Sequence, residues 1–140
     1  MKSGISDLFV YGSLLSGFNH PAHLFVSRYF TLTGQGRVQG KLYDLDEYPG
    51  AVPAGENFFI EGELYHVNHA DEFSYAIRQL DDYEGLLVEA PETPLFRREA
   101  AAVLCNGVST MAWIYWYNLP VEGRPLIPAG ELLSYWKSKA

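Results

Sequence analysis

Two places in this sequence could do chemistry: a glutamate that closes an amphipathic helix on its apolar side, and a glycine-containing turn that closes a strand. Between Asn68 and Gly85 the apolar residues Phe73, Ala76, Ile77 and Leu80 recur at i, i+3, i+4 and i+7, the period of one helix face. At ~100° per residue, Glu84 falls about 20° from Phe73 and about 20° from Ile77, so it continues the face turned toward the core. Asp82 projects to the opposite side and reads as a solvated surface charge, while Asp81 is intermediate. A carboxylate aimed inward at a helix C-terminus meets desolvation, the negative end of the dipole and a nearby like charge. All three raise its pKa toward the range of a general acid/base. The same residue has a structural reading, in which Glu84 pairs with Arg97 or Arg98 and locks the helix to a strand.

The second place is Val10, Tyr11, Gly12, Ser13 and Leu14, where a strand runs into a turn. Such turns expose backbone N–H groups that can bind a carboxylate or an oxyanion, although an ordinary strand-ending turn has the same composition. Ser13 has no GxSxG elbow around it and no histidine tied to it by a motif, so it is assigned to binding rather than to nucleophilic attack. His20 and His23 are three apart but lack a third ligand, and His66 and His69 flank a strand end; all four read as surface histidines. No metal and no organic cofactor are expected. Trp113, Tyr115 and Tyr117 share one face of a strand, with Ile114 and Trp116 on the other. Core packing is their expected role, and Tyr117 is the one placed to reach a pocket.

These residues have to be held by recognisable elements. Asn68 can cap the helix, Asp71 and Glu72 sit in its first turn, and Gly85 is a natural C′ residue, which predicts a helix over residues 69–83. Residues 7–11 form a short strand centred on Leu8, Phe9 and Val10, and residues 19–27 hold a short helix entered through Pro21. The segments GKLYDL (Gly40, Leu42, Tyr43) and GELYHV (Gly62, Leu64, Tyr65) echo each other and read as two similar hairpin strands of one barrel. Between them Tyr48, Pro49 and Gly50 mark a turn, and Pro53, Gly55 and Asn57 extend the irregular stretch. Asn106 and Gly107 offer a tight hairpin between Val103–Leu104 and the strand from Met111 to Tyr117. The cues are antiparallel and lack regular βαβ alternation. The expected fold is α+β: a small mixed, mainly antiparallel β-barrel or curled sheet with two or three helices.

With 140 residues, 48% of them hydrophobic and 19% charged, the chain reads as one globular domain over 1–140. Its net charge of −7, with ten scattered basic residues, makes no patch for a phosphate backbone, so nucleic acid is excluded as a partner. Cys105 stands alone, which rules out an internal disulfide and a cysteine metal cage and suits a reducing compartment. No apolar run approaches the ~18 residues that span a bilayer. A cytoplasmic protein with a small-molecule partner and no membrane is the expectation.

VYGSL near the N-terminus, GKLYDL followed by YPG, and LDDYEG in mid-chain appear in the order found in the gamma-glutamylcyclotransferase-like (AIG2-like) family, which this sequence resembles from Phe9 to about Trp136. It looks most like the gamma-glutamylamine cyclotransferase branch. The resemblance implies that Tyr11, Gly12, Ser13 and Leu14 bind a gamma-glutamyl group and that Glu84 is the catalyst. It also implies that a Tyr-x-Arg strand follows the glutamate; the matching positions are Phe96 and Arg98, so no phenol stands at the first. Arg98 and Tyr117 complete the expected substrate-binding set. The implied reaction forms 5-oxoproline and a free amine from a gamma-glutamyl amine or peptide, with no cofactor. A non-catalytic gamma-glutamyl-binding or regulatory module on the same fold is the alternative.

Overall fold

Phe9 carries a bulky ring into a place where neighbouring strands offer none. Its ring lies over Gly36 and Gly62, which face each other in register on adjacent strands. A Cβ built on Gly62 would lie 2.3 Å from the Val10 carbonyl oxygen and 2.7 Å from the tip of the Phe9 ring, and one on Gly36 would lie 2.9 Å from Val103 Cγ1. Glycine is required here because no side chain fits, whatever its backbone angles.

A computed structural model of the chain describes residues 5–11, 21–45, 49–55, 57–83, 93–94 and 96–127. Strand β1 (Asp7–Val10) is followed by helix α1 (Pro21–Tyr29) and by the long strand β2 (Phe30–Asp44). Strands β3 (Pro49–Pro53) and β4 (Phe59–Val67) come next, then a 3-10 turn (Ala70–Glu72) leading into helix α2 (Phe73–Tyr83). Strands β5 (Phe96–Cys105), β6 (Val108–Tyr117) and β7 (Leu126–Ile127) complete the described elements. The sheet order β2-β4-β1-β6-β5 returns to β2, so five strands close a mixed barrel, with β3 and β7 added along the far end of β2. Among the described residues only the β1–β6 pair is parallel, with Leu8 beside Trp113. Closure between β2 and β5 rests on two pairs, Gly36 with Cys105 and Arg37 with Leu104.

The fold is the barrel expected from the sequence, with corrections in detail. Asn106 (φ 54°) and Gly107 (φ 77°) make the tight turn between β5 and β6. The two echoing segments do pair with each other, as parts of β2 and β4. Pro49 and Gly50, expected in a turn, instead begin β3 opposite Asp44 and Tyr43, and Pro53 ends it opposite Gly40. The strand tolerates both prolines because the N–H of Ala51, between them, points away from β2 to the Tyr11 hydroxyl. Pro49 and Pro53 share that parity, so neither removes a ladder bond. Asn68 does not cap the helix. Its side chain accepts from the Thr31 hydroxyl and donates to the Arg28 carbonyl at 3.4 Å, and its N–H bonds the Tyr29 carbonyl at 2.8 Å. It therefore joins the end of α1 to β2 and leaves the 3-10 turn without a side-chain cap.

α2 packs as its periodicity predicts. Ala76, Ile77 and Leu80 are buried, and Phe73 meets Phe30 edge-on with ring centroids 6.3 Å apart. Ile114 and Trp116 are buried on one face of β6, and Tyr115 and Tyr117 are buried on the other. Both faces are covered because the barrel interior takes the first and α2 reaches over the second.

Candidate functional site

The strand β1 delivers Tyr11, the second residue of VYGSL, into the core. Its hydroxyl donates to the Tyr115 carbonyl and accepts from the Ala51 N–H at 3.3 Å, so one phenol ties β1 to β6 and β3. Tyr115 in turn extends its own hydroxyl outward, donating to Asp81 Oδ1 at 2.7 Å. Asp81 lies on the buried side of α2, four residues after Ile77, and is only 9% exposed. It is also the counterion of Arg98, whose Nε and Nη2 donate to Oδ1 and Oδ2 at 2.7 and 3.1 Å. The other flank of the guanidinium rests on the Trp113 ring, 4.5 Å from its centroid. Two oxygens facing two N–H groups is the geometry in which arginine binds carboxylate most strongly.

One residue of β6 thus connects two sequence segments about seventy residues apart. The Tyr115 carbonyl holds Tyr11, the root of VYGSL, and its hydroxyl holds Asp81, within LDDYEG. Arg98 is opposite Tyr115 on β5, and Phe96 is opposite Tyr117, with their rings edge-on at 5.5 Å. Tyr117 is buried against Phe96 and lies close to Gly50, where an added Cβ would come within 3.2 Å of its ring.

Of the residues singled out by sequence, Tyr11, Arg98 and Tyr117 are brought onto this cluster. Gly12, Ser13, Leu14 and Glu84 lie outside the described residues. Asp82 is exposed, as expected. Asp81, read as intermediate, is the carboxylate that meets Arg98, in the place where the structural reading had put Glu84. Arg97 turns the other way, donating from Nε to Glu99 at 2.9 Å and from Nη1 to the Tyr117 carbonyl and Asn118 Oδ1 at 3.4 Å each.

A second buried pair escaped the sequence reading. Glu63 and Tyr65 are 6% and 2% exposed, and the Tyr65 hydroxyl donates to Glu63 Oε1 at 3.0 Å. Burial pushes the Tyr65 phenol well above its ordinary pKa, with the hydrogen bond to Glu63 and the Glu63 charge adding to the effect. Glu63 is in register with Val10, so the pair stands beside the end of β1. The signal was present in GELYHV, where Glu and Tyr two apart must share a strand face.

His66 is exposed and sits 2.5 Å from Asp7 Oδ1, across the β1–β4 pair. Among the described residues no three His, Cys, Asp or Glu side chains converge as metal ligands. A groove of about 460 Å³ opens where β2 leaves β5, lined by Arg37, Phe59, Ala102 and Trp116 among others, and none of the expected site residues lines it. No described helix is long and apolar enough to cross a membrane.

A family model described as gamma-glutamyl cyclotransferase, AIG2-like, matches residues 8–137. The gamma-glutamylcyclotransferase family protein ytfP of Citrobacter rodentium is 30% identical over 134 residues, covering 90% of this chain and 94% of that protein. YtfP of Escherichia coli K12 is likewise 30% identical over 134 residues, covering 90% and 95%. Among solved structures, the solution structure of ytfP from Escherichia coli superposes with a TM-score of 0.58 at 28% identity, over 89% of this chain and 93% of that one. YkqA from Bacillus subtilis superposes with a TM-score of 0.67 at 22% identity, over 95% of this chain and 42% of that one, a likeness of fold.

Proposed function

This chain belongs to the AIG2-like gamma-glutamyl cyclotransferase family, and from that premise we propose that it converts a gamma-glutamyl amine or gamma-glutamyl peptide into 5-oxoproline and a free amine. The observation that carries the reading is the convergence at Tyr115. The strand that launches VYGSL and the helix that runs into LDDYEG are fastened to the same residue from its two ends. The two motifs are therefore rooted on one patch of the barrel, as a site built from both requires.

The reaction needs no protein nucleophile. The substrate's α-amine attacks its own γ-carbonyl and closes a five-membered ring. Collapse of the adduct breaks the bond to the leaving nitrogen. Glu84 takes the proton that the α-ammonium must lose and passes it to that nitrogen as it departs. The second proton lost from the ring nitrogen is balanced by protonation of the released amine in solvent. The backbone N–H groups at Gly12 and Ser13 hold the substrate's anionic oxygens. Folding the substrate so that its amine meets its carbonyl is the larger part of the task, and a rigidly rooted turn supplies it. Among the described residues Arg98 is bonded to Asp81 and Arg97 to Glu99.

The test is a panel of gamma-glutamyl peptides and gamma-glutamyl amines, with 5-oxoproline measured by mass spectrometry for wild type and Glu84→Gln. Turnover by wild type and a loss of roughly 10²- to 10⁴-fold in kcat for the variant, at unchanged melting temperature, are expected. A folded Gln variant with near wild-type turnover removes Glu84 from the mechanism. A wild type that binds these compounds and turns none over is a binding module.

A further inference from the structure

The barrel is shut along only part of its last seam. β2 meets β5 at Gly36 with Cys105 and at Arg37 with Leu104, and from Gly40 onward β2 pairs with β3. The groove of about 460 Å³ lies where the two strands part, and its volume falls in the range of ligand sites. β5 is paired with β6 along its whole length. From Ala100 to Val103, however, its other edge has no strand beside it among the described residues. Ala101 shows the consequence: its cross-strand partner Ala112 is fully buried, yet Ala101 itself is only half-buried. Ala100 and Ala102 are exposed, and Leu104 is 46% exposed. Sheet edges of this kind are usually blunted by a proline, a lysine or an inward charge, and Ala100–Val103 carries none of these.

A strand laid along that edge would send alternate side chains to opposite sides. On the inner side the groove is apolar, with Val38, Ala101 and the buried Trp116. On the outer side stands Arg37, the one charged residue among those that line it. The Arg37 guanidinium lies over the Phe59 ring, 5.6 Å from its centroid. Its neighbouring carboxylate is Glu61, 3.6 Å away, and the two side chains are 49% and 52% exposed. An ion pair that long and that wet contributes little, so Arg37 is open to a better carboxylate. Lys41 follows on the same face of β2, over the Phe58 ring at 4.1 Å. In a chain of net charge −7, the groove is thus flanked by cations that favour an acidic partner.

We propose that this groove takes an extended peptide segment that alternates acidic and apolar residues, adding it as a strand to the Ala100–Val103 edge with its carboxylates toward Arg37. Main-chain hydrogen bonds to the open edge supply the affinity, and the alternate side chains supply the specificity. A carboxylate held by two N–H groups of Arg37 fixes the register. Tyr11, Arg98 and Tyr117 do not line the groove, so this surface stands apart from the cyclotransferase reading and does not depend on it.

The test uses the full chain and a fluorescein-labelled Glu-Val-Glu-Val-Glu peptide, with binding followed by fluorescence anisotropy at low salt. Saturable binding with Kd on the order of 10–100 μM is expected. Amide resonances of Ala100–Val103 should shift during the titration. Lys-Val-Lys-Val-Lys should bind at least about tenfold more weakly, and Arg37→Glu should weaken the acidic peptide by a similar factor at unchanged melting temperature. Should Arg37→Glu fail to fold, Arg37→Gln is read in its place, with a loss of at least about threefold. Two further peptides separate strand addition from charge attraction alone, one N-methylated at its valines and one at its glutamates. Only one edge of a strand faces β5, so one of the two should lose at least about tenfold and the other stay within about threefold. Any other pattern overturns strand addition. No saturable binding by wild type up to about 1 mM, equal binding of the acidic and basic peptides, or wild-type affinity in the Arg37 variant overturns the proposal. Sedimentation velocity on the protein alone tests for self-pairing: a dimer that Ala102→Lys converts to monomer gives the edge to a second copy of the chain and overturns the peptide as its occupant.

Discussion

Gly62→Ala is the smallest change that reaches the proposed site through the barrel. The new methyl would lie 2.3 Å from the Val10 carbonyl oxygen and 2.7 Å from the Phe9 ring. An ordinary carbon–oxygen contact of this kind is about 3.3 Å or longer, so β1 or β4 must move by about 1 Å. The obstacle is main chain, which has no rotamer to escape into. Overpacking of this sort costs about 1–3 kcal/mol, or about 3–15 °C in melting temperature for a chain of this size. The displacement falls on Val10, immediately before Tyr11, and so on the root of the proposed substrate-binding segment. A misplacement of about 1 Å can cost on the order of 10²-fold in rate. Melting followed by circular dichroism, and 5-oxoproline formation below the transition, read the two effects separately. Gly55→Ala is the control, since nothing lies within 4 Å of a Cβ there and its φ is not positive. A Gly62→Ala protein that melts and turns over like wild type refutes the close approach of β1 and β4. One that melts lower but keeps full kcat refutes the link from Val10 to the site.

Two further outcomes follow from buried phenols. Tyr11→Phe deprives the Tyr115 carbonyl of its donor and the Ala51 N–H of its acceptor, and is expected to lower stability by about 1–3 kcal/mol; a melting temperature within a degree of wild type would show that the hydroxyl holds nothing. Tyr65 stays neutral in the fold far above the ordinary phenol value of 10.0, whereas the unfolded chain releases that proton near pH 10, so its contribution is complete below about pH 10 and declines as pH rises beyond it. Melting of Tyr65→Phe between about pH 9.5 and 11.5 should therefore fall less steeply than that of wild type, and parallel curves would remove Tyr65 from the alkaline transition.

What the sequence disclosed depended on how local the cause was. α2 and the turn at Asn106–Gly107 are dictated within a few residues, by apolar period and by positive φ, and both were read correctly. β2 was read only over its last third. Its earlier part carries Gly34 and Gly36, which weaken any strand signal, and Gly36 is there because Val103 and Phe9 crowd it from other strands. β3 was mistaken for a turn, since its two prolines look like breakers until the ladder parity is known. Asp81 was misjudged for a related reason. A helical wheel drawn on α2 alone cannot reveal that Arg98 and Tyr115 wait on the sheet, which widens the buried face by one residue. VYGSL and LDDYEG stand out in the sequence as patterns of residues rather than as a period, and of them Val10, Tyr11 and Leu80–Tyr83 are among the described residues. Glu63 and Tyr65 were visible as letters but were taken only as part of an echo.

The parallel neighbour of β1 has a bearing on how the protein is made. Leu8 pairs with Trp113, while β4, its antiparallel neighbour on the other side, is much nearer in sequence. As the chain leaves the ribosome, β1 can dock on β4 early, but its second edge must wait for about fifty more residues, until β6 is made. At roughly 5–20 residues per second that interval lasts on the order of 2–10 s. Throughout it, Leu8, Phe9 and Val10 have an unpaired edge, and the Tyr11 hydroxyl lacks the Tyr115 carbonyl to which it donates in the finished barrel. Contacts so distant in sequence also slow the final closure, because the intervening loop must be ordered before they form. The two segments of the proposed site are thus brought together late, when the β5–β6 hairpin closes against β1.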